Sequence, residues 1–139
     1  VADLLVDALQ ENGRKASNSR VLVLGYAYLE NSDDVRNSPS IRLVDRLREL
    51  GMEVAIHDPY VTDYKGDVAA LAVNADAIIV MVAHHDYKKL NLSKISAVMK
   101  TPVLIDGRSV FERAEAEQAG FKYGGVGKGL KKKLENKYV

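Results

Sequence analysis

The stretch that most constrains the fold is the apolar run Val21–Leu24 and the glycine that follows it. Four consecutive apolar residues indicate a strand buried on both faces, as in a parallel sheet. After Gly25 the chain becomes polar and acidic. The pair Ser38-Pro39 then predicts the start of a helix, because serine caps helix N-termini and proline suits the first turn. A strand, a loop at its carboxyl end and a helix form the place where open α/β sheets bind ligands.

The same alternation of strand and helix patterns continues along the chain. We predict strands at 21–24, 53–57, 77–82, 102–105 and 121–123, and helices at 39–50, 67–74, 92–99 and 112–119. The intervening segment HHDYKK, residues 84–89, is predicted to turn outward. The expected fold class is α/β: a Rossmann-like three-layer αβα domain with a mainly parallel sheet of about five strands.

An N-terminal helix is expected to precede the sheet. Apolar residues between Val1 and Leu9 share one helical face, and Gly13 is the expected C-cap. We expect residues 1–19 to be the end of an inter-domain helix with its linker, and residues 20–129 to form the domain. Residues 130–139 form a basic tail, which is expected to be a solvated end or, alternatively, to bind an anion.

Composition narrows the function classes. The net charge is +1, so no strong field points to nucleic acid or membrane. The absence of cysteine excludes disulfides, thiolate metal sites and cysteine nucleophiles from these 139 residues. No apolar run reaches the roughly 18 residues of a membrane span, and no signal peptide is recognisable, so a cytoplasmic protein is expected.

Polar side chains cluster where the predicted strands end. After strands one to four come, in order, Tyr26, Tyr28, Asp33, Asp34 and Arg36; His57 and Asp58; His84, His85 and Tyr87; and Asp106 and Arg108. Because the carboxyl ends of parallel strands share one edge of a sheet, we expect a ligand site there.

The first strand does not lead into a dinucleotide-binding turn. That turn needs G-x-G-x-x-G, and here Gly25 is followed by Tyr26, Ala27 and Tyr28. Independent NAD binding by this domain is therefore disfavoured. The later GGVGKG, residues 124–129, resembles a phosphate loop only weakly, because no serine or threonine follows its lysine.

The two arginines at this edge are the best charged candidates. Their planar guanidinium groups suit phosphate oxygens. Arg36 has an alternative as a structural partner of Asp33 or Asp34, and Arg108 as a partner of Asp106.

Other polar pairs at this edge have plainer interpretations. His84 and His85 point to opposite sides if the segment is extended, so no metal site is predicted and His84 is expected to position a loop. The pair Asp33-Asp34 could serve acid–base chemistry, but turn formation is favoured.

Four segments, in order, resemble the UDP-binding domain of the UDP-glucose/UDP-N-acetylmannosamine dehydrogenase family. GYAYLENSDDVRNSP is similar to the signature G-x-A-(F/Y)-K-x-x-T-x-D-x-R-x-S-P that opens this C-terminal domain. AHHDYK at 83–88, IDGRSVF at 105–111 and AGFKYGGVGKG at 119–129 are similar to the family's A-H-D-x-F, D-G-R-x-x-F and G-F-x-Y-x-G-(I/V)-G segments.

The resemblance implies a part of a larger enzyme. The whole enzyme would oxidise the C6 hydroxyl of a UDP-hexose to a carboxylate, with NAD held mainly by an N-terminal domain. The catalytic cysteine and lysine belong to that absent part, so no catalytic residue is assigned here and the isolated chain is expected to be inactive. The implied partners are a UDP-sugar, the N-terminal and central helical domains, and a second subunit in a homodimer.

The resemblance also implies roles for individual residues that match positions of the family's motifs. Arg108 matches the family arginine that contacts the UDP-sugar, Tyr28 matches the aromatic position beside the nucleotide, and Arg36 matches the arginine that reaches towards NAD. Leu29 departs from the family pattern, which has lysine there.

The segment AHHDYK and the N-S-P after Arg36 look more like the UDP-N-acetylmannosamine branch than the UDP-glucose branch. Alternatives are a UDP-glucose dehydrogenase domain, a stand-alone Rossmann-like nucleotide-binding or regulatory module, and a structural domain that mediates assembly.

Overall fold

A five-stranded, fully parallel sheet forms the centre of the computed structural model, which describes residues 1–125. The strands are β1 (Arg20–Leu24), β2 (Glu53–His57), β3 (Ala77–Val80), β4 (Val103–Asp106) and β5 (Lys122–Gly125), in the order β2-β1-β3-β4-β5. The helices are α1 (Ala2–Glu11), α2 (Pro39–Glu49), α3 (Val68–Leu71), α4 (Leu92–Val98) and α5 (Arg113–Gln118). Short 3₁₀ helices span Thr62–Tyr64 and His85–Lys89. The predicted fold class and N-terminal helix are confirmed.

Helices cover both faces of the sheet, which makes three layers. Successive strand residues point to opposite faces. Val21 and Val23 therefore pack with α1 and α2, whereas Leu22 and Leu24 pack with α3, α4 and α5. This burial on both sides explains why the central strands β1, β3 and β4 appear in the sequence as apolar runs rather than alternating ones.

The start of α2 connects the helix to the end of β1. The Ser38 side chain accepts a hydrogen bond from the Ser40 N–H at 3.1 Å, and Pro39 occupies the first turn, as the sequence predicted. The Ser40 hydroxyl donates to the carbonyl oxygen of Gly25 at 2.8 Å.

The carboxyl ends of β1 and β3 form the switch point of the sheet, because the crossovers through α2 and α3 run on opposite faces. Ligands of open α/β sheets bind at such a point. Gly25 lies there with φ +100°, and a Cβ on it would lie 2.6 Å from Val82 Cβ. Only glycine fits both this backbone conformation and this close approach.

The prediction that residues 84–89 turn outward is wrong for His84 and Tyr87. His84 and Tyr87 are fully buried, while His85 and Asp86 are exposed. The 3₁₀ helix explains the error, because residues three apart share one side of such a helix.

Some element bounds also differ from the prediction. β3 ends at Val80, before the predicted end, and Val82 lies close to Gly25. Of the predicted GGVGKG segment only Gly124 and Gly125 are described, as part of β5; the rest of it and the basic tail lie outside the described residues. Within residues 1–125 no helix has the length and apolar character needed to cross a bilayer.

Candidate functional site

A buried carboxylate at the end of β2 anchors the loop that follows β1. Asp58 is fully buried. Its Oδ2 accepts the backbone N–H groups of Tyr26 at 2.8 Å and Ala27 at 3.0 Å, and its Oδ1 accepts the N–H of Tyr60 at 2.8 Å. The Nε2 of His84 lies 2.9 Å from the same Oδ2. Four donors therefore converge on one side chain.

These donors keep Asp58 ionised. Burial alone would raise the pKa of Asp58, but the hydrogen bonds from His84 and from the backbone of Ala27, Tyr26 and Tyr60 outweigh it and lower the pKa to about 2. Asp58 is consequently a carboxylate at neutral pH.

The same contacts explain why this turn does not suit a dinucleotide. In a dinucleotide-binding turn, backbone N–H groups after β1 face the pyrophosphate. Here the N–H groups of Tyr26 and Ala27 already bind a carboxylate, and the Gly25 N–H donates to the carbonyl oxygen of His57 at 2.8 Å. The pyrophosphate of NAD does not fit this turn, since its donors are taken and the nearby charge is negative.

His84 connects the β1 loop to the segment after β3. Its Nδ1 accepts the N–H of Asn31 at 2.8 Å, and its Nε2 faces Asp58. The Asn31 side-chain oxygen accepts the His85 N–H at 3.0 Å. His84 thus makes the loop contact that was predicted for it. Sequence reasoning placed Asp58 at this edge but assigned it no role, and it missed Asn31.

Tyr28 lies on the anchored loop with its side chain in solvent. Its side chain is 45% exposed, and neighbouring Leu29 is 58% exposed. The Tyr28 N–H donates to the carbonyl oxygen of Asp34 at 2.6 Å, which closes the loop on itself. The loop thus presents an aromatic ring and an aliphatic side chain on a fixed backbone.

Arg36 pairs with Asp34 at the surface. Its Nε and Nη2 donate to the two carboxylate oxygens at 3.1 and 2.9 Å, and the Arg36 side chain is 86% exposed. The side-chain hydrogen bond from Arg36 lowers the pKa of Asp34 to about 2. Asp34 also accepts the Arg36 N–H at 3.0 Å, so it closes a turn, as favoured from the sequence. Arg36 therefore adopts the structural pairing that the sequence left open as an alternative.

Arg108 lies after β4 without a carboxylate partner in residues 1–125. Its Nε donates to the carbonyl oxygen of Met81 at 3.0 Å. Buried Asp106 instead accepts the backbone N–H groups of Arg108, Val110 and Phe111, at 3.1, 3.1 and 2.8 Å. The alternative of an Arg108–Asp106 ion pair is not what the structure shows.

The segment after β3 lies between the two predicted substrate-binding residues. Arg108 contacts it at Met81, and the loop that carries Tyr28 contacts it at His84 and His85. Arg36 lies farther along the β1 loop. In the described part of the chain, no three acidic or histidine side chains are grouped so that they could hold a metal ion.

A separate cavity of about 370 Å³ lies beside the end of β2. Its lining includes His57, Lys65, Asp67, Asp86 and Tyr87, and none of the predicted site residues. The His57 ring contacts the Tyr87 hydroxyl at 3.0 Å and the Gly66 carbonyl oxygen at 2.9 Å. Burial lowers the pKa of His57.

Comparisons with a family model and with known proteins agree on one family. Residues 22–113 match the UDP-binding domain of the UDP-glucose/GDP-mannose dehydrogenase family. The chain is 34% identical over 128 residues to the UDP-N-acetyl-D-mannosamine dehydrogenase of Pyrococcus horikoshii, covering 92% of this chain and 30% of that protein. A UDP-glucose 6-dehydrogenase of Rhizobium meliloti is 29% identical over 126 residues, with 84% and 29% covered.

Solved structures give the same result. The Pyrococcus horikoshii enzyme superposes with a TM-score of 0.85. An NDP-N-acetyl-D-galactosaminuronic acid dehydrogenase from Methanosarcina mazei Go1 superposes with a TM-score of 0.84 at 38% identity, covering 92% of this chain and 28% of that one. The chain thus spans about 30% of the length of these relatives. It belongs to the UDP-glucose/GDP-mannose dehydrogenase family, of which it carries the UDP-binding domain.

Proposed function

We propose that this chain binds the UDP-sugar substrate of an NAD-dependent UDP-hexose 6-dehydrogenase. Arg108 and Tyr28 contact the nucleotide sugar, and Arg36 reaches towards NAD held by another part of the enzyme. The observation that carries the proposal is the state of Arg108. It is exposed at the switch-point edge, and within residues 1–125 its guanidinium forms no ion pair and its Nη groups donate no hydrogen bond.

Arg108 is suited to a diphosphate for physical reasons. Its Nε is fixed on the Met81 carbonyl oxygen, which limits the motion of the side chain. The two Nη groups then offer a planar pair of donors that matches two phosphate oxygens. The exposed ring of Tyr28, held on an anchored loop, offers a flat apolar surface beside that charge.

The substrate we favour is a UDP-N-acetylhexosamine, most specifically UDP-N-acetylmannosamine. Two relatives at 34% and 38% identity are named as dehydrogenases for N-acetylated sugar nucleotides. UDP-glucose is the alternative, because a relative at 29% identity is a UDP-glucose 6-dehydrogenase. Leu29 cannot donate a hydrogen bond to phosphate or sugar, so this chain relies on Arg108 for that contact.

The rest of the reaction belongs to other parts of the enzyme. NAD would accept hydride as the C6 hydroxyl is oxidised to a carboxylate, and we assign no catalytic residue to this chain. Residues 1–19 would continue an inter-domain helix, residues 20–129 would form the binding domain, and residues 130–139 a basic tail. A cytoplasmic homodimer completes the proposal.

Leu5 and Leu9 of α1 are fully buried against this domain, so α1 is packed on the sheet it precedes.

Calorimetric titration with UDP tests the site. Arg108→Ala should weaken UDP binding by about tenfold or more, because a hydrogen bond to a charged group contributes about 1.5–3 kcal/mol. Arg20→Ala is the matched control: Arg20 is a partly exposed arginine at the amino end of β1, on the opposite edge of the sheet. Arg36→Ala should leave UDP affinity unchanged. Equal UDP affinity in Arg108→Ala and the unsubstituted chain would show that the site is misassigned.

A further inference from the structure

We propose that Asp58, His84 and Asn31 form a chain of hydrogen bonds that sets the conformation of the loop after β1, residues 25–37. This conformation places Tyr28 and thereby affects how tightly the site binds a nucleotide. The inference rests on the proposed UDP site. It adds three residues that contact no ligand themselves but hold the backbone that does.

The two ring nitrogens of His84 have different hydrogen-bonding roles. Its Nδ1 accepts a backbone N–H from Asn31 at 2.8 Å, so this nitrogen carries no proton. The ring is then neutral with its hydrogen on Nε2, which donates to Asp58 at 2.9 Å. A single tautomer satisfies both contacts, and both His84 and Asp58 are fully buried. The chain of hydrogen bonds is therefore directional, from Asn31 through His84 to Asp58.

Tyr28 lies between two parts of the loop that are held by hydrogen bonds. Asp58 fixes the N–H groups of Tyr26 and Ala27 just before it, and His84 fixes Asn31 just after it. Packing does little to fix the orientation of an exposed side chain. The direction in which the Tyr28 side chain points therefore depends on the backbone around it. The geometry thus makes ligand contact sensitive to these anchors.

The backbone of Asn31 lies in the left-handed region. Its φ is +55°, a left-handed backbone that asparagine adopts more readily than other non-glycine residues. Its N–H is bonded to His84, and its side-chain oxygen accepts the His85 N–H at 3.0 Å. These two bonds tie the loop at Asn31 to the segment after β3, and removing one of them should let the loop relax.

The aromatic surroundings of His84 allow a clean substitution. The ring lies with its centroid 4.8 Å from that of Tyr60 and 5.6 Å from that of Tyr87. His84→Phe keeps a ring in this slot but removes both hydrogen bonds. His84→Gln places an acceptor and a donor at the end of one side chain, and so can bridge Asn31 and Asp58.

Titration with UDP at neutral pH compares the two variants with the unsubstituted 139-residue chain. His84→Phe should bind UDP about tenfold more weakly, because loss of this anchor would move the Tyr28 ring away from the nucleotide. His84→Gln should recover most of the affinity. Asp76→Asn is the matched control: Asp76 is also a buried, hydrogen-bonded carboxylate, but at the amino end of β3. It should lower the free energy of unfolding without changing UDP affinity.

NMR of the unsubstituted chain gives a readout that needs no variant. The ring nitrogens of His84 should show the neutral tautomer protonated at Nε2, and the Asn31 amide should exchange slowly with solvent. Fast exchange at Asn31, or a proton on Nδ1, overturns the proposal even if His84→Phe fails to fold. Undiminished UDP binding by His84→Phe, or no recovery by His84→Gln, also overturns it.

The two proposals fail in distinguishable ways. If the unsubstituted chain does not bind UDP while Arg108→Ala behaves identically, the proposed function is wrong. In that case a protected Asn31 amide and the Nε2 tautomer would still support the positioning of the loop, and their absence would refute it. If UDP binds and depends on Arg108 but not on His84, only the role proposed for the chain of hydrogen bonds is wrong.

Discussion

Replacing Asp58 by asparagine should lower the free energy of unfolding by about 3 kcal/mol. The carboxylate is fully buried and receives four hydrogen bonds, three of them at Oδ2 and one at Oδ1. Asparagine keeps one accepting oxygen. If that oxygen takes the Oδ2 position, its NH₂ group faces the N–H of Tyr60, so two donors are left opposed in a buried place. The substitution therefore removes the charge and adds an unsatisfied donor.

The lowered pKa of Asp58 expresses the effect of the same hydrogen bonds. Its pKa is lowered from the ordinary 3.8 to about 2, because donated hydrogen bonds outweigh the effect of burial. One pKa unit corresponds to about 1.4 kcal/mol, so ionised Asp58 stabilises the folded state by roughly 2 kcal/mol relative to the protonated form. The value for Asp58→Asn is somewhat larger because protonation leaves a hydroxyl that can rotate, whereas the amide cannot.

The sign of the pH dependence follows from the lowered pKa. The unfolded chain binds a proton at Asp58 near pH 3.8, before the folded chain does. The stabilisation is therefore complete above that pH and is lost as the pH falls towards about 2. The difference in unfolding free energy between the unsubstituted chain and Asp58→Asn should shrink over the same interval. Asp34 titrates in the same range, but it is present in both proteins and cancels in the difference.

Urea unfolding followed by circular dichroism, repeated across this pH range, measures both quantities. Asp63→Asn is the control, because Asp63 is exposed and such a change usually stays within about 0.5 kcal/mol. An Asp58→Asn effect no larger than that of the control, or a difference that does not vary with pH, would refute the assignment of Asp58 as a buried carboxylate anchor.

Two further substitutions test the frame around the site by the same unfolding measurement. Gly25→Ala should cost about 3 kcal/mol, because the added Cβ would lie 2.8 Å from the backbone nitrogen of Val82 as well as requiring φ +100°. Gly13→Ala also has a positive φ, +74°, but no atom lies within 4 Å of its added Cβ, so it should cost only about 1 kcal/mol; equal losses would mean that the contact with Val82 is unimportant. Ser38→Ala should cost about 1 kcal/mol through loss of the N-cap of α2. Exposed Ser93, replaced by alanine, should change stability little, and an equal loss there would count against the cap.

The sheet could be predicted from the sequence because its signals are local. The three central strands β1, β3 and β4 are short apolar runs buried on both faces, and capping residues such as Ser38 start the helices between strands. The edge at which we expect a ligand site followed from the same signals, since polar residues come directly after the first four strands. What the sequence could not show is which of those polar residues meet, because that depends on the strand order and register.

His84 illustrates this limit. Its partners are Asp58, 26 residues away, and Asn31, 53 residues away, and no spacing rule connects them. The burial of His84 and Tyr87 was missed for a related reason: a segment with two histidines, an aspartate and two lysines has the composition of a surface turn. Only the 3₁₀ geometry separates its buried residues from its charged ones.

The β1 turn also shows why likeness of fold does not determine the ligand. Its strand, turn and helix have the layout of a dinucleotide site, yet Asp58 supplies from within the protein the anion that such a turn would otherwise bind. A second anion at the N–H groups of Tyr26 and Ala27 would have to displace a buried carboxylate bonded to His84. We therefore expect a nucleotide to contact Arg108, the exposed cation at the end of β4, and not the turn after β1. The internal carboxylate is then both the reason that the turn rejects a pyrophosphate and the anchor that holds the loop beside the proposed UDP site.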